Sequence, residues 1–107
     1  MNADADGNHD GYIATATTSG VSGSYFASNG GNIIMGGGSD PSMTPAYGNS
    51  GTGGGAPGIV LAGVKVDAGS GSVSIRGAGC NSGLGVSFCY GTSVTTTVGS
   101  ITVQGNG

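Results

Sequence analysis

The densest group of acidic side chains in this chain is Asp4, Asp6 and Asp10, interleaved with Asn8 and glycine. Alternating oxygen donors around a glycine turn is how a loop wraps Ca²⁺, a hard cation that selects oxygen ligands. Read from Asp6 the stretch is D-x-N-x-D-G-x-I, so Asp4, Asp6, Asn8 and Asp10 are the candidate calcium ligands. Thr17 stands where an EF-hand-type loop would place its bidentate Glu, and no flanking helix is indicated. A solvated acidic turn therefore accounts for the same residues. His9, in the same turn, has no second His or nearby Cys to complete a transition-metal site and reads as an exposed loop residue.

Cys80 and Cys89 are the two cysteines, an even count that permits one disulfide. Strand alternation turns Cys89 outward if Val86 and Phe88 point inward, so the bridged and free-thiol readings both stay open. Without a Cys-x-x-Cys spacing neither implies redox catalysis. Hydrolytic or lyase chemistry needs clustered carboxylates or a carboxylate beside a strong base, and the candidates are Asp67, Lys65 and Arg76. Lys65 and Asp67 alternate onto one outer face with Arg76 near, which predicts a surface ion pair of small energetic weight, so no catalytic residue is assigned. Gly36-Gly37-Gly38 and Gly53-Gly54-Gly55 lack the following Lys-Ser/Thr of a phosphate cradle and read as loop. Among the aromatics outside the expected core (Tyr12, Tyr25, Phe26, Tyr47 and Tyr90), Tyr47 is the preferred contact residue for a sugar or protein partner, with a loop-anchoring role as the plainer alternative.

The elements that would carry these residues repeat. Asn32-Ile33-Ile34-Met35-Gly36, Ser72-Val73-Ser74-Ile75-Arg76-Gly77 and Ser100-Ile101-Thr102-Val103-Gln104-Gly105 share one pattern of polar, apolar, any, apolar and a closing glycine. A second strand type follows at Gly58-Ile59-Val60-Leu61-Ala62 and Gly85-Val86-Ser87-Phe88-Cys89, and a third at Val64-Lys65-Val66 and Val94-Thr95-Thr96-Thr97. The interval from Ile33 to Val73 is longer than that from Val73 to Ile101, and the excess falls in the Gly/Ser/Pro-rich stretch 37–57, read as an inserted loop. Short period-2 strands, divided by glycine corners and repeating at this interval, predict an all-β fold: a three-sided parallel β-helix, or solenoid, with Gly-rich corners and one inserted loop. Residues 1–29 form an acidic turn and a short coil or cap, and residues 30–107 the repeats. Alternation places Ile33, Met35, Ile59, Leu61, Val64, Val66, Val73, Ile75, Val86, Phe88, Val94, Ile101 and Val103 inward. Ser74, Arg76, Ser87 and Thr102 then point outward.

Composition narrows the partners. The chain has 107 residues, 26 of them Gly, and a net charge of −3 with Lys65 and Arg76 as its cations. Two cations cannot neutralise a phosphate backbone, so nucleic acid and anionic membrane surfaces are poor partners. Three prolines and no every-third-glycine register exclude collagen, while plentiful Val, Ile and Thr with little charge argue against disorder. No apolar run approaches a membrane span, and Met1 to Asp10 is acidic and polar instead of basic then apolar, so no signal peptide is visible and a mature fragment is expected.

The run GSVSIRGAG…GVSFCYGTSVTTTVGSITVQGNG resembles the repeats of filamentous-haemagglutinin-like and autotransporter-passenger proteins, over roughly residues 30–107. That resemblance implies a right-handed β-helical shaft exported to the bacterial cell surface and used in adhesion to a glycan or protein of a host or neighbouring cell. Within these 107 residues no secretion-domain motif, C-terminal membrane barrel or carbohydrate-binding subdomain is recognised. The alternative is a self-assembling subunit, because the ends of a short β-helix expose unpaired backbone to further copies unless capped. A polysaccharide-acting enzyme lacks its carboxylates, and an ice-binding solenoid would need a Thr array that Val64-Lys65-Val66 interrupts.

Overall fold

Short runs of Val, Ile and Thr closed by glycine are too brief for helices and too β-branched to favour them, and they form strands. The computed structural model describes residues 1–3, 11–15, 25–48, 57–79, 83–89 and 91–106. Among these, the strands are β1 (Asn2–Ala3), β2 (Ile13–Ala14), β3 (Tyr25–Ala27), β4 (Ile33–Gly37), β5 (Ala46–Tyr47), β6 (Ile59–Ala62), β7 (Lys65–Asp67), β8 (Val73–Ala78), β9 (Val86–Cys89), β10 (Ser93–Thr95) and β11 (Ile101–Asn106). The described chain is all-β.

The strands make three parallel sheets: β1-β4-β8-β11 with β5 also on β8, β3-β7-β10, and β2-β6-β9. Chain order runs through the sheets in rotation, so β2, β3 and β4 form one layer, β6, β7 and β8 the next, and β9, β10 and β11 the last. The register follows the repeat. Ile33 pairs with Val73 and Val73 with Ile101; Met35 pairs with Ile75 and Ile75 with Val103. Ile59 and Leu61 stand opposite Val86 and Phe88, and Val66 lies between Phe26 and Val94.

Since side chains alternate across a strand, this register stacks apolar residues of successive layers on one side of every sheet. Met35, Ile59, Leu61, Val64, Val66, Val73 and Ile75 are fully buried and form one cluster. The middle layer is covered from both sides, and β8 alternates strictly between buried and half-buried over Val73 to Arg76. The last layer is covered from one side. Phe88 is 42% exposed and Ile101 and Val103 are each 44% exposed, although their register partners Leu61, Val73 and Ile75 are buried. The expectation that these residues are core is thus corrected: they share the apolar face, but no further layer among the described residues shields them.

Two other readings change. Gly36 and Gly37, expected in a loop, are buried members of β4. A Cβ on Gly37 would stand 2.6 Å from the carbonyl oxygens of both Ala3 and Pro45, so glycine is what lets β1 and the 41–45 turn close on the strand from two sides. Within the stretch 37–57, Ala46 and Tyr47 pair with Gly77 and Ala78 of β8. That pairing continues the edge of β8 where β4 turns away. The turn itself is set by Asp40, whose Oδ1 accepts from Ser42 N at 3.1 Å.

Candidate functional site

Polar side chains on this framework act mainly between layers. Asn32, Ser72 and Ser100 occupy the same position before β4, β8 and β11. The Asn32 Oδ1 accepts from Ser72 N at 2.9 Å, and the Ser72 Oγ accepts from Ser100 N at 3.1 Å. Each side chain thus satisfies the backbone donor of the layer above it, where the corner interrupts the ladder. Threonine serves the opposite need. The Thr96 hydroxyl lies 2.9 Å from the Gly69 carbonyl oxygen and 2.5 Å from that of Gly71, and Thr97 donates to Gly69 O at 2.7 Å. Thr92 donates to Leu61 O at 2.8 Å and accepts from Val64 N at 3.3 Å. These hydroxyls rivet corners together, which is a structural task.

The residues weighed for catalysis are not brought together. Lys65 and Asp67 lie on β7, and Arg76 lies on β8 in another sheet. The Asp67 Oδ1 accepts from Gly69 N at 2.8 Å, closing the turn after β7, and its Oδ2 accepts from the Tyr25 hydroxyl at 3.4 Å. Lys65 is exposed. The expected surface ion pair does not form among the described residues, because the carboxylate is engaged by its own turn and the guanidinium faces another sheet's neighbours.

Arg76 Nε donates to Ser42 O at 2.7 Å, and its Nη1 donates to the Gln104 side-chain oxygen. Beside them is a cleft of about 140 Å³ bordered by Met43, Pro45, Arg76, Gln104 and Asn106. This is the outer polar site that residue type alone did not reveal. A signal was present, since Arg76 and Gln104 occupy the same place in successive repeats, each just before the closing glycine. The cleft offers one guanidinium and two amides, a set that can hydrogen-bond a neutral polar group but holds no second charge or base.

Tyr47 sits half-buried in β5, with its backbone N donating to Gly11 O at 2.8 Å. This backbone bridge ties Gly11 to β5 on the long sheet. The candidate calcium ligands Asp4, Asp6, Asn8 and Asp10 and the neighbouring His9 lie outside the described residues, as do Cys80 and Tyr90. Cys89 is a half-buried free thiol 3.9 Å from Leu61 O. Among the described residues, no three of His, Cys, Asp and Glu gather in one place, and no helix is long and apolar enough to cross a membrane. No family model, curated protein or solved structure matches the chain.

Proposed function

We propose that this chain is a structural and adhesive segment of an extracellular bacterial-surface shaft, built as a three-sided parallel β-helix, with no catalytic role. The observation that carries this reading is the rotation of successive strands through three parallel sheets, with Ile33, Val73 and Ile101 in register from layer to layer. An arrangement in which each sheet gains one strand per repeat lengthens along one axis as repeats are added, which is what a shaft requires. The inward side of the strands goes to stacking and the corner hydroxyls to interlayer bonds, and the outward positions are mostly polar, among them Lys65, Ser74, Arg76, Ser87, Thr95 and Thr102. The Thr95-Thr96-Thr97 run supports this over an ice-binding array, because all three hydroxyls lie within hydrogen-bond reach of carbonyls of the preceding layer.

The test has a shape arm and a location arm. An experimentally determined structure should have a closed triangular cross-section with one strand of each sheet per turn; an open stack of sheets would refute the coil. Antibodies against the purified chain should label intact producing cells. Labelling that appears only after permeabilisation would refute the surface role.

A further inference from the structure

A charge and a cavity coincide at Arg76. Its side chain alternates outward from β8, and the register sets Gln104 beside it and Asn106 beside Ala78. The 41–45 turn covers the same outer face from the other side, held by Arg76 Nε donating to Ser42 O at 2.7 Å. Between turn and strands lies the cleft of about 140 Å³. At the roughly 30 Å³ that a water occupies in the liquid, it has room for about five waters or one small organic molecule. Its bordering side chains stand out from the sheet, so the mouth opens sideways and not along the stacking axis. A further layer beyond β11 would leave it open.

The guanidinium is half-buried, and among the described residues nothing neutralises it. Its bonds, from Nε to Ser42 O and from Nη1 to the Gln104 side-chain oxygen, end on neutral acceptors. Asp40, the acidic residue of the neighbouring turn, is engaged by Ser42, whose N and Oγ donate to its Oδ1 at 3.1 and 2.6 Å. Arg76 Nη2, Gln104 Nε2 and the Asn106 amide meet no acceptor among the described residues. A guanidinium is best satisfied by an anion that offers two oxygens in its plane. One cation balances one negative charge, which suits a carboxylate and leaves a phosphate dianion half-neutralised. The amides of Gln104 and Asn106 suit a hydroxyl next to that carboxylate, and Met43 and Pro45 give its carbon frame an apolar wall.

We propose that this cleft binds a small hydroxycarboxylate. The carboxylate accepts from Arg76 Nη2 and Gln104 Nε2, and the neighbouring hydroxyl pairs with the Asn106 amide. The site needs only β8, β11 and the 41–45 turn, so it is independent of the surface role proposed above. A free hydroxy acid and the acid group of a uronic saccharide present the same chemistry, and both are used as probes.

Calorimetric titration of the 107-residue chain with lactate, propionate, methyl glucuronoside, methyl glucoside and sulfate tests this. Lactate, the glucuronoside or both should bind with Kd on the order of 1 mM or tighter. Propionate, which lacks the hydroxyl, should bind about fivefold more weakly than lactate, and the uncharged glucoside at least about tenfold more weakly than the glucuronoside. Arg76→Met should weaken binding of the acids at least about tenfold. Asn106→Ala, which trims an exposed side chain and leaves the fold unburdened, should abolish the preference for lactate over propionate. Lys65→Met removes the same charge from another sheet and should leave binding unchanged. Lactate alone binding identifies a free acid as the occupant, and the glucuronoside alone a saccharide. Sulfate or propionate binding as tightly as the hydroxy acids overturns the proposal, as does equal sensitivity to Lys65→Met and Arg76→Met. Neither acid binding up to about 50 mM, far above the expected Kd, overturns it as well.

Discussion

Gly71→Ala should cost this chain far more than an alanine usually does. Gly31, Gly71 and Gly99 occupy one corner in three successive layers, offset by the same two intervals as the strands that follow them. At Gly71 an added Cβ would stand 2.5 Å from the carbonyl carbon of Gly31 and 2.9 Å from the Gly30 oxygen, and closer still to the Gly31 oxygen. Relief requires the corner to move away from a layer held by the Ile33 N to Ser72 O and Val73 N to Ser100 O bonds, each 2.9 Å. Overpacking typically costs about 1–3 kcal/mol, and here the obstacle is backbone, so about 3 kcal/mol is expected. For a domain of this size that lowers Tm by roughly 12 °C or more. The internal control is Gly31→Ala. Its Cβ would meet nothing nearer than 3.8 Å among the described residues and its φ is not positive, so it should be neutral or stabilise by up to about 1 kcal/mol. Thermal and chemical denaturation of both variants decide the matter. A Gly71→Ala variant within about 0.5 kcal/mol of wild type, the usual range for an inconsequential surface change, would refute layer-on-layer contact at this corner, as would equal costs at the two positions.

Ile75→Ala, in the fully buried middle layer, should cost about 3–4 kcal/mol, while Val103→Ala, one layer along and 44% exposed, should cost about 1 kcal/mol. Equal losses in denaturant titrations would mean that the last layer is covered after all. Thr96→Val removes the hydroxyl between Gly69 O and Gly71 O and should lower stability by about 1–2 kcal/mol, with calorimetry as the readout. An unchanged transition would show that water replaces the hydroxyl freely at this corner.

Much of this arrangement is legible in residue pattern. The Ile33/Val73/Ile101 and Met35/Ile75/Val103 sets pair as their spacing demands, because a strand slipped by one residue would turn its whole apolar set toward water. The site is less legible. Lys65, Asp67 and Arg76 invite an ion pair by charge and proximity in the chain, but which sheet each strand joins is decided by the corners between them. Asp67 closes its own turn, and Arg76 reaches Ser42 and Gln104, partners far from it in the chain on either side.

Strand types, their order, their period and the apolar side of each follow from local alternation and from where glycine interrupts it. Tertiary structure alone decided how much of that apolar side is buried. Val73 and Ile101 have the same pattern around them, yet one is 1% and the other 44% exposed. Burial depends on having a layer on both sides, a property of position in the stack that no local pattern encodes. The same holds for the glycines: Gly31 and Gly71 look alike in sequence, and only the layer beneath Gly71 makes a side chain there impossible to accommodate without moving the backbone.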